Sequence, residues 1–296
     1  MKGTHSPVPR SGGVVAQRCV TCGSDSLAAN SAVLMPFVAH RALNWIPVQI
    51  DESWQLRSIP NGHGFSICRS LLCADCGLIF MDLRFSDEEM ARLYDDYRGS
   101  EYSILREKYE PGYLVRNESL EEGCPYLDKV EDFLAPYLSR RPSILDWGGD
   151  TGRNAPFADS RVSLDVFDIS DRAVVSGARK VSRSQVRERS YDLVLLSNVL
   201  EHVPYPARVL DEISDGLTAK TALYIEVPFE EIMKFDGATA LSVKRHWHEH
   251  INFFSKQSLV SLLERCGFIV ESLIQTDVTA FGRQVSMLQS VSRKRV

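Results

Sequence analysis

The second half of the chain alternates apolar runs of strand length with polar turns and amphipathic stretches. Ser143-Ile144-Leu145-Asp146 is a short apolar run that opens into a glycine-rich turn, where a first helix is expected to begin. Val162 to Phe167 predicts a second strand, and Asp171 to Lys180 a helix after it. Tyr191 to Leu196 is a clear strand, and Ala207 to Leu217 has the spacing of an amphipathic helix. Ala222 to Val227 predicts another strand, stopped by Pro228. Ser255 to Cys266 reads as a capped helix with Gly267 as its C′ residue. Phe268 to Ile274 and Gln284 to Gln289 close the chain as strands with no helix between them, hence an antiparallel pair. A weaker short strand is expected near Gln185-Val186. Alternating strands and helices predict an α/β fold with a doubly wound, mostly parallel sheet.

The first half is patterned differently. Ser86 followed by Asp87, Glu88 and Glu89 is a helix N-terminus with first-turn acids, and Met90, Leu93, Tyr94 and Tyr97 follow at helical spacing. A further helix is expected from Tyr126 to Tyr137, ended by Arg140-Arg141-Pro142. The chain partitions into residues 1–17, polar and expected to be disordered, a cysteine module at 18–82, a helical linker or lid at 83–140, and the sheet domain at 141–296.

Composition narrows the class. With 296 residues, 44% hydrophobic and 25% charged, the chain has the make-up of a globular protein. A net charge of −5 argues against nucleic acid, and the basic end Arg293-Lys294-Arg295 reads as a solvated tail. No apolar run approaches a membrane span, and the first residues lack the apolar core of a secretory signal. The expected compartment is the cytoplasm, where paired cysteines point to metal or redox chemistry before disulfides.

The sharpest chemical feature is Asp146-Trp147-Gly148-Gly149-Asp150-Thr151-Gly152 at the end of the first strand of the sheet. Ligands of open α/β sheets bind at the carboxyl ends of strands, and glycines there admit close approach. The spacing is not that of a dinucleotide fingerprint, and two acids beside a pyrophosphate would repel it. They suit a cationic ligand. Asp168 stands 22 residues after Asp146, at the end of the second strand, where a carboxylate can accept both hydroxyls of a ribose.

Read with Tyr191 to Pro206, YDLVLLSNVLEHVPYP, and Tyr224 to Pro228, YIEVP, these features resemble the class I S-adenosylmethionine-dependent methyltransferases over residues 143–290. The similarity is to the branch carrying FD-V---VLEH--P followed by I-EVP. It implies a Rossmann-like seven-stranded sheet with an antiparallel last strand, and S-adenosylmethionine as cofactor. Cofactor contacts then fall on Asp146, Gly148, Gly149, Asp150 and Gly152 in the turn, Asp168 at the ribose, Ile169 at the adenine, and Ser197 and Asn198 on the methionine side. Asp150 stands where the family usually has glycine; its carboxylate either reaches the methionine ammonium or tilts away.

The same branch carries HEH--F-S near His248, Glu249 and His250, inside His246-Trp247-His248-Glu249-His250. Histidine titrates near neutral pH, so His250 and His248, with Glu249, are the candidate catalytic or acceptor-contacting residues. Two other readings compete: an H-x-H-x-H metal site, and a purely structural tie to the following helix cap. His202 reads as a structural or cofactor-side residue.

Cys19-x-x-Cys22-Gly and Cys73-x-x-Cys76-Gly are two knuckles able to supply four thiolates to a structural, tetrahedral Zn²⁺. The 50 residues between them exceed the usual gap, and Cys68 or His63 is a possible substitute ligand. A zinc-ribbon-like module of this kind, followed by CGL-F and a tyrosine-rich helical lid, resembles sugar C-methyltransferases and polysaccharide-biosynthesis methyltransferases. Tyr97 and Tyr102 are the lid candidates. The resemblance implies methylation of a small molecule, a nucleotide sugar or a glycan precursor. Two other functions stay open: a non-catalytic binding protein of the same fold, and an NAD-dependent sugar-modifying enzyme. The acceptor atom and the oligomeric state are not encoded in any motif.

Overall fold

The computed structural model describes residues 14–55, 61–120, 122–138, 141–280 and 282–295. Its larger sheet has seven strands: β1 (Ser143–Trp147), β2 (Ser163–Phe167), β3 (Ala178–Lys180), β4 (Leu193–Ser197), β5 (Ala222–Phe229), β6 (Phe268–Ala280) and β7 (Arg283–Lys294). They lie in the order β3-β2-β1-β4-β5-β7-β6. All neighbours are parallel except β7, which runs antiparallel to both β5 and β6. The fold is therefore the mixed α/β sheet of seven strands expected from the sequence, with its antiparallel strand last in the chain. β1, β2 and β4 are nearly continuous apolar runs because both faces of a parallel sheet are covered.

Leu145 and Val194 face one core with the helices Pro206–Ser214 and Lys256–Arg265, whereas Ile144 and Leu195 face another with the helix Leu127–Leu134. Chain order reverses between β1 and β4, so their carboxyl ends open a crevice at the switch point.

Several local expectations are corrected. No helix follows the glycine turn; residues 151–161 form turns, because Pro156 removes an amide donor and Phe157 takes a positive φ of 61°. Asp171 to Lys180 is not a helix either. β-branched Val174 and Val175 and a left-handed Gly177 break it, and Ala178–Lys180 pairs with β2 instead. Gln185-Val186 belongs to a helical turn, Arg183–Val186, set by a Ser182/Gln185 capping box. β5 runs through Pro228 to Phe229. Its parallel neighbour ends at the Ser197–Glu226 pair, so the missing amide falls beyond that ladder. The final hairpin is nearly twice as long as the apolar runs suggested.

The capping box at Ser86 starts the helix Asp87–Tyr94 as expected. Of the stretch expected to be disordered, residues 1–13 lie outside the described residues, and Val14–Val15 pair with Leu83–Arg84. Arg140 also lies outside the described residues.

A second, five-stranded sheet has the order His246–Trp247, Leu27–Leu34, Ile67–Cys73, Ile79–Met81, Asn252–Phe253. Its outer strands come from the histidine loop, so the sheet crosses the partition drawn at residue 82. Trp247, fully buried, donates its indole N–H to Ser70 Oγ at 2.9 Å and fixes that loop on the N-terminal strands. Among the described residues no helix is long and apolar enough to cross a membrane.

Candidate functional site

A cleft of about 1760 Å³ opens at the carboxyl ends of β1, β4 and β5. It is continuous from the glycine turn to the histidine loop, and Asp146, Asp168, Ser197, His202, His248 and His250 all line it. Of the predicted cofactor residues only Gly152 stays out of it.

The turn is shaped by close packing. A Cβ on Gly148 would meet Val199 Cγ2 at 2.6 Å, and one on Gly149 would meet the Asp146 carboxylate at 2.3 Å. Gly148 and Gly152 also hold φ values of 77° and 75°, the left-handed region that disfavours other residues. Asp150, in the family's glycine position, adopts that region too, with φ 52°. A short polar side chain tolerates it. Asp150 Oδ2 pairs with Arg172 Nη1 at 2.6 Å and lies 3.8 Å from Arg98 Nη1. Its side chain is thus turned onto arginines, and burial still outweighs them to keep the carboxyl above its usual range.

Asp146 is 4% exposed. Burial first, and then the neighbouring Asp168 and Asp150, push its carboxyl up to about 7, against the opposing pull of Arg161. Asp168 accepts the backbone N–H of Asp150 at 2.8 Å and of Ser170 at 2.7 Å, which fixes the carboxylate at the end of β2. Ile169 beside it is 56% exposed.

Ser197 and Asn198 are tied to Glu226, which sequence reasoning passed over. Its buried carboxylate accepts hydrogen bonds from Tyr126, Ser197, Asn198, Tyr224 and Gln289. Its only sequence signal is an acid inside an apolar strand.

The histidine loop is held from behind. Glu249 accepts Arg106 Nη1 at 2.8 Å, Arg106 Nη2 at 2.6 Å and the Tyr102 hydroxyl at 2.7 Å. Both its oxygens are engaged, so it anchors the loop to the helix Ser100–Tyr109. Tyr102 is fully buried in that contact, whereas Tyr97 lines the cleft. Asn252 donates to the carbonyls of Leu200 and Val203, and the Ile251 and Asn252 amides donate to the Glu201 carbonyl. These bonds place His250 against the turn after β4.

Among the described residues the three loop histidines do not converge. His246 and His248 rings lie 5.4 Å apart, and His248 Nδ1 is 3.5 Å from Glu110. His250 meets His202 instead, edge to face at 4.6 Å. His250 Nδ1 bonds Glu230 Oε1 at 2.7 Å. Burial works against the charged ring, but that bond and the Glu201 and Glu230 charges keep His250 above its ordinary value. Burial drives His202 down to about 3, so its ring is neutral.

Cys19, Cys22, Cys73 and Cys76 form one cluster with all four sulfurs within 4.8 Å of one another. Cys19–Cys76 is 3.6 Å and Cys22–Cys73 3.5 Å. Four sulfurs bound at about 2.3 Å to a tetrahedral ion would lie about 3.8 Å apart, so the set fits Zn²⁺. Cys68 and His63 are not part of it. Cys68 faces the apolar core beside Ala32 and Ile79. Ser255, the N-cap of Lys256–Arg265, donates to the Cys76 carbonyl at 2.6 Å and binds the knuckle to the sheet domain.

The profile of a family described as a methyltransferase domain matches residues 119–273, just over half of the chain. No curated protein matches it significantly. Similar solved structures include a 1,6-didemethyltoxoflavin-N1-methyltransferase from Burkholderia thailandensis, bound to 1,6-didemethyltoxoflavin and S-adenosylhomocysteine. It is 16% identical, covers 75% of this chain and 97% of its own, and has a TM-score of 0.49. A putative methyltransferase from Bacillus halodurans is 17% identical, covering 57% and 99%, with a TM-score of 0.45. The N-methyltransferase NodS from Bradyrhizobium japonicum, with S-adenosylhomocysteine, is 15% identical, covering 57% and 88%, with a TM-score of 0.41.

Proposed function

Because this chain belongs to the methyltransferase-domain family, we propose that it transfers the methyl group of S-adenosylmethionine to a small-molecule or glycan-precursor acceptor, such as a nucleotide sugar. The observation that carries this reading is Asp146. It is a buried carboxyl at the head of the cleft, raised by that burial and then by its acidic neighbours against the pull of Arg161. Such a group favours a ligand that brings positive charge. S-adenosylmethionine carries an ammonium and a sulfonium, whereas a pyrophosphate would be repelled by the Asp146 carboxylate.

In this reading Asp146 and the Gly148-Gly149 backbone hold the methionine end beside Ser197 and Asn198. Asp168 takes the ribose hydroxyls, and Ile169 packs on the adenine. The acceptor enters from the histidine side of the same cleft. His250 or His248 orients it or receives its proton, and Glu249 holds their loop. Methyl transfer mainly requires alignment of the acceptor atom with the sulfonium methyl, which a cleft with rigid walls supplies.

Isothermal titration tests the cofactor assignment. S-adenosylmethionine is expected to bind, and Asp168→Ala to weaken it about 100-fold through two lost charge-assisted hydrogen bonds. No binding, or equal affinity in the variant, rejects the reading. NAD is expected not to bind.

The cysteine cluster is proposed to hold a structural Zn²⁺, which would join the knuckles to the helix capped by Ser255. All four protein positions are filled by cysteine, so no open position is left for chemistry. Metal analysis is expected to find one zinc per chain, lost in Cys73→Ser together with a few degrees of melting temperature. A variant that keeps its zinc overturns the assignment.

A further inference from the structure

The cleft contains a second cluster of ligand-type side chains. Glu201, His202 and His250 present a carboxylate oxygen and two imidazole nitrogens that all lie within 4.8 Å of one another. Glu201 is fully buried, yet neither of its carboxylate oxygens has a hydrogen-bond partner. His202 Nε2 lies 3.9 Å from Oε1, too long for a hydrogen bond. A buried carboxylate in that state is costly, and native folds satisfy nearly all such groups.

The two rings are set as metal-binding histidines are. His250 Nδ1 is hydrogen-bonded to the Glu230 carboxylate at 2.7 Å. His202 Nδ1 lies 3.2 Å from the Glu249 carbonyl and 3.1 Å from the Tyr94 hydroxyl. An Nδ1–H given to a carboxylate or carbonyl leaves the Nε2 lone pair free, and metal-bound histidines are almost always fixed in this way. The two outer partners, Glu230 and the Glu249 carbonyl, come from separate loops, and both serve the same cluster.

We propose that Glu201, His202 and His250 bind a divalent transition-metal cation whose open positions face the cleft and take oxygen atoms of the acceptor. Two imidazoles with one carboxylate suit Zn²⁺ or Mn²⁺ and leave room for water or substrate. Ligand atoms bound at about 2.0–2.2 Å are about 3–4 Å apart, so a small inward movement of the side chains seats the ion. The cation supplies a Lewis acid that polarises an acceptor oxygen. His250 then acts on the acceptor through the cation rather than as a free base. That catalytic use rests on the methyltransferase reading; the cation site itself does not.

The test uses the full chain with zinc already on its cysteines. Mn²⁺ is titrated in and the free ion is followed by electron paramagnetic resonance, since hard Mn²⁺ disfavours thiolates. One Mn²⁺ per chain is expected, lost in His250→Ala and in Glu201→Gln, and bound about 10–100-fold more weakly in Glu230→Ala. Should Glu201→Gln not fold, His250→Ala decides, because that side chain is 39% exposed in the cleft. Failure to take up Mn²⁺, Co²⁺ or a second Zn²⁺, or uptake unchanged in His250→Ala, overturns the proposal. Calorimetry with S-adenosylmethionine on the same samples separates the two readings. Cofactor binding without metal uptake removes only the cation site, and metal uptake without cofactor binding removes only the methyltransferase reading.

Discussion

Asp146→Asn is expected to weaken S-adenosylmethionine binding about 1000-fold while making the ligand-free protein more stable at pH 8. Both effects follow from one buried carboxyl. In the folded chain its pKa stands at about 7, against about 3.9 for an ordinary aspartate. Between those values the folded protein keeps the proton and the unfolded chain releases it. The stability due to this group is therefore complete below about pH 4 and is lost as pH rises through about 7. The full difference corresponds to at most about 4 kcal/mol. Asparagine removes the ionisation and with it that loss. It also removes a buried charge at the head of the cleft that would pair with the ammonium. Urea unfolding at pH 5 and pH 8, with calorimetry at pH 8, measures both. A loss of affinity below about tenfold would show that the ammonium is seated elsewhere. No gain in stability at pH 8 would show that Asp146 already has a counter-charge.

Arg106→Met is expected to destabilise the protein by about 3–5 kcal/mol, lowering the melting temperature by about 10 °C. Arg106 is 7% exposed and lies 4.5 Å from the Tyr113 ring centroid and 5.0 Å from that of Phe37. It bonds Glu249 through two nitrogens and Glu110 through Nε at 3.0 Å. Methionine fills the space but leaves Glu249 buried and unpaired. Against the effect of burial, the Arg106 charge keeps the Glu249 carboxyl below its ordinary range. Its share of stability is thus present above about pH 4.3 and lost as pH falls further. Adding Glu249→Gln to Arg106→Met should restore part of the loss, since the stranded charge is gone. Thermal unfolding of the single and double variants decides. A single-variant loss under about 1 kcal/mol, or no recovery in the double variant, would show that the pair does not hold the loop.

Much of the sheet was legible because its strands are buried on both faces and read as apolar runs. Where helices were expected and did not form, the deciding residues were Pro156 and the Val174-Val175-Gly177 group. Strand pairing overrode a helical reading of Ala178–Lys180. The length of the last hairpin was hidden because much of β6 is partly exposed and polar, and only pairing with β7 defines it.

For the site, the sequence by itself determined which residues stand at the ends of β1, β2 and β4, since a turn after an apolar run is a local property. It also singled out the four cysteines as a candidate ligand set, with Cys68 and His63 left open as substitutes, because the C-x-x-C-Gly geometry is local and only its partner is distant. Tertiary structure alone decided the rest. Asp150 turned onto Arg98 and Arg172, Glu249 was consumed by Arg106, and Glu201 was left without a partner beside two imidazoles. Apart from the neighbours Glu201 and His202, those outcomes join residues 22 to 143 positions apart, where no local periodicity carries information. Asn252 and Trp247 bring the loops together. A histidine loop that read as one motif is thereby divided among three tasks: a strand in the second sheet, an anchor to a helix, and an imidazole facing His202.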